Sequence, residues 1–162
     1  MYNFDIYGYE FDLRDNYSSF SDEQVLIEAQ TLARKAESNQ INDLAHPGVY
    51  GIFIKSRLVY IGQSQDMLVR YYSHLIRTNL AKTNKYTILR EALERGWDVN
   101  FVPMYYSTKV DKASLQADLN EAEGRLIRAF VPPLNVVIPL EDDIQVENVD
   151  SYSVGLNDIK IY

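Results

Sequence analysis

Residues 48–62 read GVYGIFIKSRLVYIG, and this stretch decides the fold. Two runs rich in β-branched and aromatic residues, 48–55 and 57–61, flank a short turn at Lys55-Ser56. Such runs around a turn are typical of a β-hairpin. Gly62 ends the second run, and because glycine is conformationally permissive we expect the chain to turn there into a helix.

Helices and one further strand are predicted around this hairpin. Asp66 and Asn84 are of the type that caps helix N-termini, and Gly96 fits a helix stop. Pro103 lies inside a strand-like run, which indicates an edge position or a bulge. The predicted elements are a strand in 2–13, a helix from a capping box in 21–24 to about 38, the hairpin, helices in 66–79 and 84–95, a strand in 97–106 and a helix in 113–131.

This order predicts an α+β fold with a central three-stranded antiparallel sheet flanked by helices. Residues 46–136 form the predicted central domain. Residues 1–45 form an N-terminal extension with a strand and a helix, and residues 137–162 an acidic C-terminal tail that packs on the domain or on a partner.

Charge is distributed unevenly along the 162 residues, whose net charge is −7. Residues 1–46 carry 9 acids and 3 bases, residues 47–135 carry 8 acids and 12 bases, and residues 136–162 carry 6 acids and 1 base. For an arbitrary protein, solvated surface charge is the favoured explanation of a basic centre inside acidic flanks. The alternative is a local site for a polyanion, whose acidic flanks suppress non-specific binding.

Composition excludes several classes of protein. Apolar residues make up 46% and charged residues 24%, which are globular values. Cysteine is absent, so disulfide scaffolds and thiolate metal sites are excluded. No stretch approaches the ~20 apolar residues of a membrane span, and the N-terminus lacks the pattern of a signal peptide. We therefore expect an intracellular, cytoplasmic protein.

Polar residues occupy positions that a purely apolar core would not choose. Tyr50 and Tyr60 lie one in each hairpin strand, and Arg70 and His74 share one face of the next helix. Glu123 interrupts the apolar stripe of the last helix, where a carboxylate requires a partner. Hydrolysis of a phosphodiester needs such groups: a proton acceptor, a cation beside the phosphoryl oxygens and a carboxylate for a divalent metal.

At these residues the sequence resembles the GIY-YIG endonuclease superfamily. The first tripeptide is Gly48-Val49-Tyr50, and the second is Tyr60-Ile61-Gly62. Arg70 follows eight residues after Gly62, and His74 four residues later. The stretch EGRLIRAFVPPLN (123–135) carries Glu123, Pro132 and Asn135 at the family spacing. Five ordered elements within about residues 46–136 carry the resemblance, which is nearest to the small stand-alone phage and bacterial members.

The resemblance implies a nuclease that cuts DNA with Mg²⁺ or Mn²⁺. Tyr50 is the implied general base or water-orienting phenol, and Tyr60 supports the water and the phosphate. Arg70 stabilises the scissile phosphate, and His74 relays a proton or contacts phosphate. Glu123 binds the metal, and Asn135 braces the site. The residues expected to contact the nucleic acid are Gln63, Ser64, Arg77, Lys82 and Lys85.

Other interpretations stay open. The chain has 13 tyrosines, and Tyr50 and Tyr60 also fit a structural role as strand aromatics. Glu123 and Arg70 fit a structural ion pair. A catalytically silent DNA-binding or protein-interaction module with the same fold is the alternative function. The aromatic-rich termini suit strand addition to a second copy, so a homo-oligomer is a further expectation.

Overall fold

The structure of this chain is a computed structural model that describes residues 4–5, 20–38, 44–80, 83–141, 144–148 and 155–161. Within these ranges the fold is α+β, as the sequence predicts. The elements are β1 (Phe4–Asp5), α1 (Asp22–Ser38), β2 (Gly48–Ile54), β3 (Arg57–Ser64), α2 (Met67–Leu80), α3 (Asn84–Glu94), β4 (Val99–Tyr106), α4 (Lys112–Phe130), β5 (Val137–Glu141) and β6 (Ile144–Glu147), followed by a 3₁₀ turn at Leu156–Asp158.

The predicted antiparallel sheet of β2, β3 and β4 is present, and the two-residue β1 extends it. The strand order is β1-β4-β2-β3, so β3 lies at one edge. Tyr50 in β2 is paired with Gly62 in β3 and with Pro103 in β4. The register between β2 and β4 shifts between Val49 and Tyr50. A bulge therefore accommodates Pro103, as predicted. Most of the predicted strand in 2–13 lies outside the described residues.

Gly62 does not end the second strand, and that prediction is wrong. β3 continues through Gly62 to Ser64, and α2 starts only after Asp66. Asp66 is the cap that the sequence predicts, because its Oδ1 accepts the amides of Leu68 at 3.0 Å and Val69 at 3.2 Å. The reason for a glycine at position 62 is instead the close approach of Tyr50, whose Cζ lies 2.6 Å from where a Cβ of residue 62 would be.

The start of α3 also differs from the prediction. Thr83 occupies the N-cap position and makes no side-chain capping hydrogen bond, so Asn84 is the first helical residue rather than the cap. The predicted stop is confirmed, because Gly96 directly follows the C-cap Arg95 and has a φ of +76°. Only glycine adopts this left-handed conformation without strain.

The sheet is buried on both faces. The main core covers the face of Tyr50 and Ile52, where α2 and α3 pack. Val49 and Ile61 meet Leu119 and Ile127 of α4 on the other face. α1 packs on α2 through a separate cluster of Val25, Ala29, Leu32 and Ile76. No helix in the described ranges is both long and apolar enough to cross a membrane.

Parts of the C-terminal segment 137–162 contact this domain. β5 and β6 pair with each other in a separate two-stranded sheet. β5 approaches α4, because Arg128 Nη1 donates a hydrogen bond to the carbonyl of Pro139 at 3.3 Å. Leu156 and Ile159 are buried in the main core. The acidic segment therefore includes residues that complete the hydrophobic interior.

The segment between α4 and β5 closes the edge of β3. Leu134 donates its amide to the carbonyl of Val59 at 2.9 Å. The buried side chain of Asn135 accepts from the amide of Ile61 at 2.9 Å and donates to the carbonyl of Ile61 at 2.8 Å. Asn148 in turn donates to the carbonyl of Asn135 at 2.8 Å. One amide side chain thus satisfies both backbone groups of an edge residue.

We expect Asn135→Ala to lower the free energy of unfolding by about 2–4 kcal/mol, because it leaves two buried backbone groups of Ile61 without partners. Urea unfolding followed by circular dichroism measures this. Asn157→Ala is the control, since Asn157 is exposed and its side chain accepts one hydrogen bond from Arg95. The control should change stability by no more than about 0.5 kcal/mol. Equal losses in both variants would contradict a bracing role for Asn135.

Candidate functional site

Tyr50 lies inside the protein rather than on its surface. Its side chain is 1% exposed, and its ring stacks on Phe101 with ring centroids 4.3 Å apart. The hydroxyl reaches His74, with 2.6 Å between Tyr50 Oη and His74 Nε2. The ring passes over Gly62, which leaves the necessary space because it has no side chain. The GVY and YIG tripeptides are therefore in direct contact across the hairpin.

His74 bridges two phenols. Its second nitrogen, Nδ1, is 2.9 Å from the hydroxyl of Tyr86 at the start of α3. Burial, reinforced by the positive charges of Lys85, Arg70 and Arg77, holds the pKa of His74 well below its usual value. A neutral imidazole has one donor and one acceptor nitrogen, so one of the two phenols donates to the ring and the other accepts.

Tyr86 is a site residue that the sequence reasoning missed. It belongs to no tripeptide motif, and its contact with His74 joins residues 12 positions apart on two helices. Burial raises its pKa. In the sequence, Tyr86 is marked only by its place in the predicted helix 84–95. An aromatic residue in such a helix usually belongs to the hydrophobic core.

Both motif tyrosines are neutral phenols at ordinary pH. The pKa of Tyr50 is raised well above its usual value, mainly by burial and then by Tyr60, and Arg70 only partly offsets this. Burial and Glu123 raise the pKa of Tyr60, which Arg70 and a hydrogen bond with Tyr50 lower. A phenolate base would need a nearby cation, and Arg70 has this role at Tyr50. However, Arg70 lowers the pKa of Tyr50 by less than burial raises it. Tyr60 is the phenol that reaches the cavity described below.

Glu123 has no cationic partner within the described part of the chain. It is half-buried, and burial raises its pKa, while a hydrogen bond from Gln63 and the charge of Arg70 lower it. The hydrogen bond from Gln63 Nε2 to Glu123 Oε1 is 3.4 Å long. Arg70 and Glu123 form no ion pair, although each influences the same tyrosines. The structural pair considered from the sequence is therefore absent.

Arg70 is exposed in the first turn of α2. Among the described residues its guanidinium makes no hydrogen bond or ion pair. Its charge nevertheless lowers the pKa of Tyr50, Tyr60 and Glu123, so it lies within electrostatic range of all three. His74 lies one turn further along α2, where it is 2% exposed. The four-residue spacing between Arg70 and His74 thus places the guanidinium at the surface and the imidazole in the interior.

The residues predicted to contact nucleic acid have different environments. Gln63 belongs to a surface amide network, in which it donates to Asn120 at 2.8 Å and accepts from Gln116 at 2.8 Å. Ser64 Oγ donates to the carbonyl of Asp66 and so fixes the start of α2. Arg77 is paired with Asp22 of α1 at 2.9 Å. Lys82 lies outside the described residues.

A cavity of about 570 Å³ joins the remaining predicted residues. Tyr60, Lys85, Glu123 and Asn135 all line it, together with Tyr86. Its volume is within the range of small-molecule sites. Glu123 is its carboxylate, and no cluster of three or more histidine, aspartate or glutamate side chains exists in the described part of the chain. Any metal here therefore depends on one carboxylate with waters or substrate oxygens as its other ligands.

Because His74 resists protonation, we expect it to make stability depend on pH. Below the ordinary histidine pKa of about 6.5, the unfolded chain takes up a proton that the folded His74 does not. The stability that the neutral His74 contributes is thus complete above about pH 6.5. As the pH falls below that value, this contribution decreases by up to about 1.4 kcal/mol per pH unit, until the lower pKa of the folded state is reached. Urea unfolding of the wild type and His74→Gln between pH 7.5 and 5 measures the difference.

The His74→Gln variant should lose less stability on acidification than the wild type, whatever its stability at pH 7.5. His46→Gln is the matched control, since His46 is exposed in the segment before β2. It should retain the wild-type slope. Identical slopes in the wild type and His74→Gln would show that the imidazole is protonated freely in the folded protein.

Comparisons with known proteins return no match to this chain among protein-family models, curated proteins or solved structures.

Proposed function

We propose that this protein is a metal-dependent DNA endonuclease of the GIY-YIG superfamily, which hydrolyses phosphodiester bonds. One observation carries the proposal: a half-buried carboxylate and a guanidinium, neither of them ion-paired within the described residues, act on the same phenol–imidazole chain. A structural ion pair would have joined Arg70 to Glu123. Their separation leaves room for a group that is attracted to both a cation and a metal-bound carboxylate, as a phosphodiester is.

The phenols order the attacking water. Tyr60 presents its ring to the cavity, and Tyr50 behind it joins Tyr60 to His74. With His74 accepting at Nε2, Tyr50 donates its proton inward and its oxygen remains an acceptor towards Tyr60. This chain orients the water by hydrogen bonds, and the proton that the water loses on attack passes to solvent, because His74 is held neutral. A raised phenol pKa suits this orienting role, since neither tyrosine has to exist as a phenolate.

Arg70 faces the charge that develops on the phosphoryl oxygens. Its guanidinium has no partner among the described residues, so its donors are available for a bidentate contact with phosphate. Asn135 acts at a distance from the reaction, because it fixes the backbone of Ile61 between Tyr60 and Gly62.

The donor set fits a weakly held Mg²⁺ or Mn²⁺. Glu123 would hold the ion, because it is partly desolvated and accepts only a long hydrogen bond from Gln63 at 3.4 Å. Mg²⁺ is commonly bound through one or two carboxylates, with waters and substrate phosphates completing its shell. When bound, the ion would neutralise charge on the phosphoryl oxygens and the leaving group.

We expect the wild type to nick or linearise supercoiled plasmid in Mg²⁺, and Glu123→Gln to reduce the rate by at least about 10²–10³-fold. Arg70→Ala should reduce it to a similar extent, because the phosphoryl charge loses its cation. Gel assays over a time course, with and without EDTA, measure these rates. Both variants should keep the wild-type circular dichroism spectrum.

Glu121→Gln is the matched control for Glu123→Gln. Glu121 lies on the same helix but is exposed and pairs with Arg125 on the surface. Its variant should cleave at the wild-type rate. Cleavage by Glu123→Gln equal to that of the control would refute the assigned site. Absence of cleavage by the wild type, combined with retained binding of duplex DNA in a gel shift, would favour the catalytically silent module.

A further inference from the structure

Lys85 is a cation without an anionic partner among the described residues. It lies in the first turn of α3, and its ammonium is 4.0 Å from the ring centroid of Tyr60 and 4.8 Å from that of Tyr86. The ammonium makes no hydrogen bond or ion pair with any of those residues. Its contacts are therefore the faces of two aromatic rings, which stabilise a desolvated cation only modestly.

The positive charges near Lys85 make its protonated form still less favourable. Burial, together with the positive charges of Arg70 and Arg77 on α2, lowers its pKa to about 8. Glu123 lines the same cavity from α4, yet no ion pair joins it to Lys85. The titratable groups that face the ammonium are thus Tyr60, Tyr86, Arg70, Arg77 and His74, with Glu123 across the cavity.

A largely buried ammonium beside two guanidinium groups is unfavourable unless an anion joins it. Arg77 is already compensated by Asp22 at 2.9 Å, whereas neither Lys85 nor Arg70 has an acidic partner among the described residues. Two such cations therefore act on Tyr60, Lys85 through a ring contact in the cavity and Arg70 through its charge from α2.

We propose that this cavity is a phosphate subsite, in which the Lys85 ammonium contacts a phosphate group of the bound strand beside Glu123. The proposal rests on the proposed nuclease function and adds to it the residue that fixes the strand inside the cavity. A strand phosphate is favoured over a free anion, because Glu123, beside which the scissile bond is expected, lines the same cavity as Lys85.

Variants of Lys85 test the subsite. Lys85→Met keeps the aliphatic stem and removes the charge, whereas Lys85→Arg keeps the charge. Lys55→Met is the matched control, because Lys55 likewise rests on an aromatic ring, with its ammonium 4.5 Å from the ring centroid of Trp97. Lys55 lies in the turn between β2 and β3, five residues and roughly 17 Å along the strand from Tyr50.

We expect Lys85→Met to lower kcat/KM for plasmid cleavage at pH 7.5 by about 10- to 100-fold, as loss of a charged hydrogen bond does. Lys85→Arg should stay within about threefold of wild type, and Lys55→Met should match wild type. The wild-type kcat/KM should fall above about pH 8, where Lys85 loses its proton. This alkaline fall should be absent in Lys85→Arg, because a guanidinium stays protonated.

Binding separates this proposal from the proposed function. In the Glu123→Gln background, a fluorescein-labelled 20-base-pair duplex should bind less tightly to the Lys85→Met double variant, with a salt dependence reduced by about one counterion. Free inorganic phosphate should compete only weakly for this subsite. If cleavage is shown but Lys85→Met behaves like Lys55→Met in rate, pH profile and binding, the subsite is refuted while the nuclease stands. If no variant cleaves, the binding comparison still decides the subsite.

Discussion

The hydrogen bond between the Tyr50 hydroxyl and His74 Nε2 sets the geometry on which the rest of the site depends. It joins β2 to α2 through the core, and it requires the Tyr50 ring to cross β3 where no side chain is present. Gly62 supplies that passage. Phe101 of β4 supports the opposite side of the ring, and Tyr86 of α3 holds the far side of the imidazole. A small movement of any of these elements would separate the phenol from the imidazole.

Local patterns in the sequence were sufficient for most of the fold. The hairpin, α2 with its Asp66 cap and the stop at Gly96 each depend on residues within a few positions of one another, so one sequence specifies them. The prediction for Gly62 is wrong because it also rests on neighbouring residues alone. A glycine after an apolar run resembles the end of a strand, whereas the glycine is required here by the Tyr50 ring of the paired strand. The bond between Asn135 and Ile61 spans 74 positions, and only the family spacing indicated that Asn135 matters.

The site was predicted less completely, because the role of a charge depends on its partners in three dimensions. Arg77 and Lys85 are equivalent in the sequence, as basic residues of the central segment. In the structure Asp22, 55 positions away, neutralises Arg77, whereas the described residues offer the Lys85 ammonium only the faces of aromatic rings. Tyr86 carried no motif and emerged only from its contact with His74. Composition thus indicated a basic centre, and tertiary contacts decided which cations remain available.

Burial changes what the two motif tyrosines can contribute. A phenol that acts as a base must lose its proton, and the interior that positions Tyr50 opposes that loss. The same interior fixes the direction in which Tyr50 donates, because His74 is held neutral. The burial that positions Tyr50 therefore also makes it less able to act as a base. In the proposed nuclease, the charge that stabilises a phosphoryl group must then come from Arg70 and Glu123, neither of which forms an ion pair with the described residues. An anion with a bound metal cation can pair with Arg70 through its own charge and with Glu123 through the cation. This is the electrostatic reason for preferring a metal-bound phosphodiester over a neutral ligand.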